Sequence, residues 1–232
     1  VVDVSSREQV SAAVADVRAE FGPVLILVNS AGIEQFGKFA EITDEFWDRV
    51  MAVNLRGPFI CVQEVLPDML AAKWGRIVNI SSMGGKFTFP GGGVYHATKY
   101  AVEALSDALR FEVGGFGVDV VVVEPGIIRT NFDDAAVAAM EAAGDGDPAY
   151  AEFNAAVAAA TKSVYEEGPL SKLGGGPEAV AAAIEKALTA GRPKTRYRVT
   201  ASAKVLLGTR RMLPDRGWDK LVVGGNFPQP GR

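Results

Sequence analysis

Two residue types that build most simple catalytic and structural centres are nearly missing, since the chain has one cysteine, Cys61, and one histidine, His96. One of each makes neither a disulfide nor a zinc tetrad. The expectation is a metal-free protein of a reducing compartment, the cytoplasm. Charge of one sign is scarce as well: 24 Lys and Arg against 28 Asp and Glu give a net charge of −4, with no basic block. That excludes the electrostatic footprint of a nucleic-acid binder. Apolar runs stay short of the ~18 residues that cross a bilayer, and the N-terminal residues lack the pattern of a signal peptide. The chain begins with Val1 rather than Met, so a segment upstream is expected in the natural protein.

What is present is core material: 48% of the 232 residues are apolar, enough for one large α/β domain. VVDV (1–4) is a short β-branched run, and Ser6 opens a stretch with Val10, Ala13, Val14 and Val17 at helical spacing, ended by Gly22. VLILVN (24–29), GRIVNISS (75–82) and GVDVVVVEPG (117–126) read as strands buried on both faces. Helices are expected over 44–72, with a break near Gly57 and Pro58, over 95–113 and over 176–191, and a last strand near TRYRVT (195–200). Strands alternating with helices imply βαβ crossovers and a parallel sheet covered on both faces. Ligands of such sheets sit beyond the carboxyl ends of the strands. Residues 129–176, Ala-rich and punctuated by Gly and Pro, are too long for a plain connection and read as a substrate lid or as a solvated insertion within one domain, 1–232.

Three candidate chemistries can be tested on the residues. A Ser-His-Asp hydrolase needs a G-x-S-x-G elbow, and neither Ser30 in VNSAG nor Ser82 in ISSMG has the first glycine. His96 is therefore expected to be a surface or helix-end bystander. GIEQFGKF (32–39) matches a phosphate loop up to its last place, where Phe39 lacks the hydroxyl that would hold Mg²⁺. Tyr95 and Lys99, at i and i+4, share one helix face. Alone that pair means little, but Ser82 stands thirteen residues earlier at the end of a buried strand, where all three can converge on one carbonyl oxygen. A tyrosine of pKa about 10 needs roughly 4 kcal/mol of help to work near pH 7. An ammonium ~4 Å away at an effective dielectric of ~20 supplies about that much.

With DV (3–4), NSAG (29–32), VNLRG (53–57), GRIVNISS (75–82), YHATK (95–99) and PGIIRT (125–130) in order, the chain resembles the short-chain dehydrogenase/reductase family over most of its length. The resemblance implies a three-layer, doubly wound Rossmann-type parallel sheet, an NAD or NADP cofactor, and a catalytic tetrad of Asn54, Ser82, Tyr95 and Lys99. In that tetrad Tyr95 would exchange the proton, Ser82 hold the substrate oxygen, Lys99 lower the Tyr95 pKa and bind the nicotinamide ribose, and Asn54 hold a water that links Lys99 to solvent. Asp3 and Val4 would contact adenine, and Asn29, Ser30, Ala31 and Gly32 would wall the adenosine ribose. Pro125, Gly126, Ile128 and Thr130 would face the nicotinamide, with the Ile128 backbone at its carboxamide. Leu25 stands where the family has Asp, a change expected to be tolerated.

The family's opening TGxxxGxG loop has no counterpart, and residues 1–4 align with its third strand. The family's strand order, 3-2-1-4-5-6-7, then implies a gap of about 10 Å beside VLILVN. Residues 193–222 resemble members acting on hydroxysteroids, retinoids and other lipophilic alcohols, which implies a lipophilic secondary alcohol or ketone as substrate. A 3-oxoacyl thioester reductase, or a non-catalytic scaffold subunit, are the alternatives. The Ala203–Leu213 stretch reads as a membrane-surface helix or as a cap on the sheet or a subunit contact. The resemblance further implies a homodimer or homotetramer formed through the two long helices.

Overall fold

The computed structural model describes residues 1–33, 39–129, 151–163 and 171–222. Four strands, β1 (Ile26–Asn29), β2 (Gly75–Ile80), β3 (Val118–Pro125) and β4 (Arg196–Val199), form one parallel sheet in the order 1-2-3-4. Register is set by pairs such as Asn29 with Asn79, Val78 with Val121 and Pro125 with Val199. The valine run of β3 is buried on alternate faces, as expected of a strand with a helix layer on each side. On one face Ile77, Val118 and Val120 pack with Val65, Met69 and Val113 from the two long helices. On the other, Val78, Val121 and Val123 pack with Ala187. Each fully buried valine contributes about 1.5 kcal/mol or more. The α/β, Rossmann-type reading holds, and Leu25 joins the first cluster, so an apolar residue serves at that position.

The helices begin where their caps stand. Ser6 accepts a bond from the Gln9 N–H and starts α1 (Arg7–Phe21), which ends at Gly22 with φ 85°. Arg18 of α1 bonds the Asp68 carboxylate at 2.8 Å and ties α1 to α3 (Gly57–Ala72). Thr43 caps α2 (Asp44–Met51), and between α2 and α3 lies a π-helical turn, Ala52–Arg56, the break expected near Gly57 and Pro58. Then follow α4 (Gly93–Val113), α5 (Ala151–Lys162), α6 (Pro177–Thr189), α7 (Thr200–Met212) and α8 (Asp215–Val222). Leu207 of α7 and Trp218 of α8 pack on Phe87, so the C-terminal helices cap the segment that follows β2.

The expected strand at 1–4 is not formed. Asp3 spends its groups on a local turn: its carboxylate accepts from the Ser5 N–H at 2.9 Å and the Ser5 hydroxyl at 2.7 Å, its N–H donates to Gln9 at 3.0 Å, and its carbonyl accepts from the Ser6 N–H at 3.0 Å. Among the described residues no strand lies beside it to pair with, and a strand exists by pairing.

Candidate active site

β2 ends at Ile80, and Ser81 and Ser82 carry the chain past the sheet into a 3-10 turn, Met83–Gly85. The Ser82 Oγ accepts from the Gly84 N–H at 3.0 Å, which fixes the hydroxyl at the turn's start. After residue 92 helix α4 begins, with Tyr95 in its first turn and Lys99 one turn on; both are buried. Lys99 Nζ lies 5.5 Å from the centre of the Tyr95 ring and donates to the Ile80 carbonyl at 2.9 Å. That bond nails α4 to the strand end two residues before Ser82. Asn54, in the π-helical turn, is buried and bonds Ile33 with both ends of its amide, accepting from its N–H at 2.8 Å and donating to its C=O at 2.7 Å. Such turns often mark functional sites. A Cβ placed on Gly32 would stand 3.4 Å from Asn54 Oδ1 and 4.0 Å from Lys99 Nζ, so β1's end, the π turn and α4 meet there.

A second group of expected residues gathers on an open cleft of about 510 Å³, lined by Asp3, Val4, Ala31, Gly32 and also by Arg49 and Val53. The Asp3 carboxyl is held below its ordinary value, chiefly by the Ser5 hydroxyl and N–H. Ser30, Ala31 and Gly32 are exposed on the same strand end. Asn29 differs from its neighbours: its side chain turns inward to Asn79 at 2.8 Å, and Asn79 continues to Ser106 at 2.9 Å, a buried link joining β1, β2 and α4. Its side chain is therefore spent on the sheet.

The third group lies past β3. Gly126 has no Cβ where Thr200 Oγ1 and Ser202 Oγ would stand 2.5 and 2.4 Å away, and Ser202 accepts from the Ile127 N–H at 3.0 Å. Ile128 forms a parallel bridge to Gly175 through the groups of its two neighbours, at 3.0 and 2.9 Å, which turns its own N–H and C=O to the other side. Thr130 lies outside the described residues, as do residues 34–38 of the phosphate-loop look-alike and most of the expected lid.

One expectation holds in part: His96 lies at a helix end, in the first turn of α4. His96 is not a surface residue: it is 3% exposed, with Nδ1 2.8 Å from the Thr88 hydroxyl. Burial pushes its pKa from 6.5 down to about 4, so the ring is neutral near pH 7. The cause is helical phase, since His96 points into the segment after β2 rather than away from it. Sequence reasoning also missed a buried charge cluster. Glu103 of α4 binds Lys86 at 2.8 Å and Arg196 at 2.9 Å, while the fully buried Glu124 of β3 faces Arg196 and Arg198 at 3.5 and 3.4 Å. Burial, and then Glu103 beside it, raises the Glu124 carboxyl above its ordinary range. Nothing in local periodicity signals this cluster, because its members come from four separate segments.

The model of the short chain dehydrogenase family matches residues 1–141. The chain belongs to that family. The oxidoreductase YbbO of Escherichia coli strain K12 is 34% identical over 224 residues, which cover 96% of this chain and 76% of YbbO. The 3-oxoacyl-[acyl-carrier-protein] reductase FabG of Staphylococcus aureus strain Mu50 is 35% identical over 133 residues, 57% of this chain and 54% of FabG. Among solved structures, a short-chain dehydrogenase from Streptomyces avermitilis superimposes with TM-score 0.72 at 34% identity, covering 97% of this chain and 79% of that one. A gluconate 5-dehydrogenase from Burkholderia cenocepacia, solved with NADP and tartrate, gives 0.56 at 32% identity, with 62% and 56% covered.

This short-chain dehydrogenase uses NAD or NADP. The described residues would hold the two ends of a nicotinamide dinucleotide, while the TGxxxGxG loop for its pyrophosphate is absent from this sequence. The open cleft beside Asp3 and Gly32 has room for an adenosine half, and the Ile128 N–H and C=O, turned away from Gly175, would face a carboxamide.

Proposed function

We propose that this oxidoreductase moves a hydride between the nicotinamide and the carbon of a lipophilic secondary alcohol or ketone, with Tyr95 as the proton donor or acceptor. The observation that carries the reading is Lys99, whose ammonium sits beside the Tyr95 ring while bonded to the strand end that presents Ser82. The bound cofactor supplies or takes up the hydride. In the reduction direction Ser82 donates a hydrogen bond to the substrate oxygen and Tyr95 passes its proton there. The Lys99 charge stabilises the phenolate that remains, and its ammonium also reaches the nicotinamide ribose. Asn54 holds Ile33, and through it the end of β1, beside Lys99, and would hold a water that links Lys99 to solvent.

Asp3 and Val4 contact the adenine, and Ser30, Ala31 and Gly32 line its ribose, with Asn29 holding them in place from below. Pro125, Gly126 and Ile128 form the nicotinamide side, to which Thr130, outside the described residues, is assigned by the family resemblance alone. Met83, which follows Ser82, and Phe89 are partly buried apolar side chains on the segment after β2, which supports a lipophilic substrate. The test is oxidation of NADPH or NADH followed at 340 nm with a steroid or long-chain ketone against an acetoacetyl thioester. Faster turnover of the ketone supports the reading. Preference for the thioester favours the second reading, a 3-oxoacyl thioester reductase, which the likeness to FabG supports. Turnover of neither substrate with either cofactor would leave a binding or scaffold role, against which the intact Ser82, Tyr95 and Lys99 argue.

Exposed Phe59 on α3 and Leu105 and Phe111 on α4 give the two long helices an apolar outer face, which supports a homodimer or homotetramer built on them. Light scattering of the purified protein checks this. Among the described residues no helix is long and apolar enough to cross a membrane. With the free thiol of Cys61, that suits action in the cytoplasm.

A further inference from the structure

The histidine inside YHATK stands where it touches both segments that carry the proposed chemistry. Its ring sits in a slot made by two missing side chains: a Cβ on Gly84 would lie 2.4 Å from its Cδ2, and a Cβ on Gly92 would lie 2.4 Å from its Cε1. Real side chains do not approach so closely, so the imidazole fills the two glycine sites. Gly84 is the residue whose N–H holds the Ser82 hydroxyl, and the same Cβ position is 3.4 Å from Ser82 Oγ. Gly92 precedes α4, and its carbonyl accepts from the His96 N–H at 2.8 Å. The ring's orientation is set by Thr88 at Nδ1 and by the edge of Phe89, with ring centres 4.5 Å apart. Tyr95 meets it edge-on, with centres 5.6 Å apart.

We infer that His96 is a positioning residue, a wedge that sets the distance between the Ser82 turn and the first turn of α4, and thereby the Ser82–Tyr95 geometry on the substrate oxygen. This rests on the reading of Ser82 and Tyr95 as the proton-handling pair. It touches neither substrate nor cofactor, so its removal acts on the chemical step and leaves the distant nucleotide cleft alone. Misplacing reacting groups by a fraction of an ångström to 1 Å costs about 10- to 100-fold in rate.

The test is a small variant set of the natural protein, assayed for kcat, for KM of the cofactor and for melting temperature. His96→Leu keeps the volume and loses the Thr88 bond; its kcat is expected to fall about 10- to 100-fold, with cofactor KM within about twofold. His96→Asn, which can bond Thr88 again, is expected to recover most of that loss. If His96→Leu fails to fold, Thr88→Val reads the same bond from an exposed site, with a kcat loss of several-fold expected. A reciprocal pair checks the wedge itself: Gly84→Ala lowers kcat in the wild-type background and costs nothing further in His96→Ala, where the slot is empty. Additive losses in that pair, unchanged kcat in both His96→Leu and Thr88→Val, or equal losses in kcat and cofactor affinity overturn the positioning role. Tyr95→Phe, run beside them, separates the two failures. If it is inactive while His96→Leu keeps full kcat, the wedge alone is wrong. If it stays fully active, the site that the wedge serves is wrong as well.

Discussion

The two halves of the site are built in opposite ways. Around Ser82, Tyr95 and Lys99 the groups are buried or partly buried and tied to backbone: Lys99 to Ile80, Ser82 to Gly84, Asn54 to Ile33. Around Asp3, Val4, Ala31 and Gly32 the surface is open, and the segment 1–5 is held by its own turn. The difference follows from where each half lies. The first stands over the middle of the sheet, where helices cover both faces; the second lies beyond β1, an edge strand among the described residues. A proton-transfer group needs a fixed position and a low-dielectric setting, whereas a nucleotide wall needs access. Damage to the first half is therefore expected to strike turnover or folding, and damage to the second to strike cofactor affinity.

The sharpest break is Lys99→Met. Without the ammonium, Tyr95 returns toward an ordinary phenol and α4 loses its bond to β2; turnover is expected to fall about 10³-fold, measured by steady-state reduction of a ketone. Next comes Arg196→Met, which leaves Glu103 and Glu124 buried with fewer cations. A loss of about 3 kcal/mol is expected from denaturant melts, shrinking at lower pH as the Glu124 carboxyl, raised by burial, takes up a proton. That variant tests whether the ordered half owes its order to the charge cluster behind it.

A pH effect is set by His96. Its pKa is 6.5 unfolded and about 4 folded, because burial disfavours the charged ring. Above pH 6.5 both states hold it neutral and it adds no pH dependence. Between pH 6.5 and 4 the unfolded chain binds a proton that the folded one does not, so stability drops as the pH falls, by at most about 3 kcal/mol from this group. His96→Leu removes that share of the slope in acid titration followed by circular dichroism. The smallest effect is expected at the open half. Asp3→Ala frees the turn at 3–6 and raises the cofactor KM by a few-fold, with kcat unchanged and little change in melting temperature.

Much of this layout is legible in the residues themselves. The runs VLILVN, GRIVNISS and GVDVVVVEPG become β1, β2 and β3, and the helix starts at Ser6 and Thr43 fall where their caps predict. Those features are local, carried by side-chain spacing and by single hydroxyls. The readings that failed depend on distant partners. VVDV has a strand's composition, but strand formation needs a neighbour, and Asp3 had the closer option of Ser5. The burial of His96 was not legible because its slot is made by glycines four and twelve residues away. The position of Asn54 was readable, yet its partner, the Ile33 backbone, was not. The Glu103–Glu124–Arg196 cluster gave no signal at all, since no motif spans those segments.

Proton transfer belongs to the buried half, and the grip on the adenosine end of the cofactor to the open one. Tyr95→Phe tests this division most directly, because the substitution removes one hydroxyl and leaves the ring packed. Turnover and cofactor binding are to be measured on the same preparation, the first by NAD(P)H absorbance and the second by calorimetry. The expected result is a kcat lowered about 10³-fold with a cofactor Kd unchanged within about threefold. Full turnover in Tyr95→Phe, or a loss of cofactor binding as large as the loss of turnover, would contradict it.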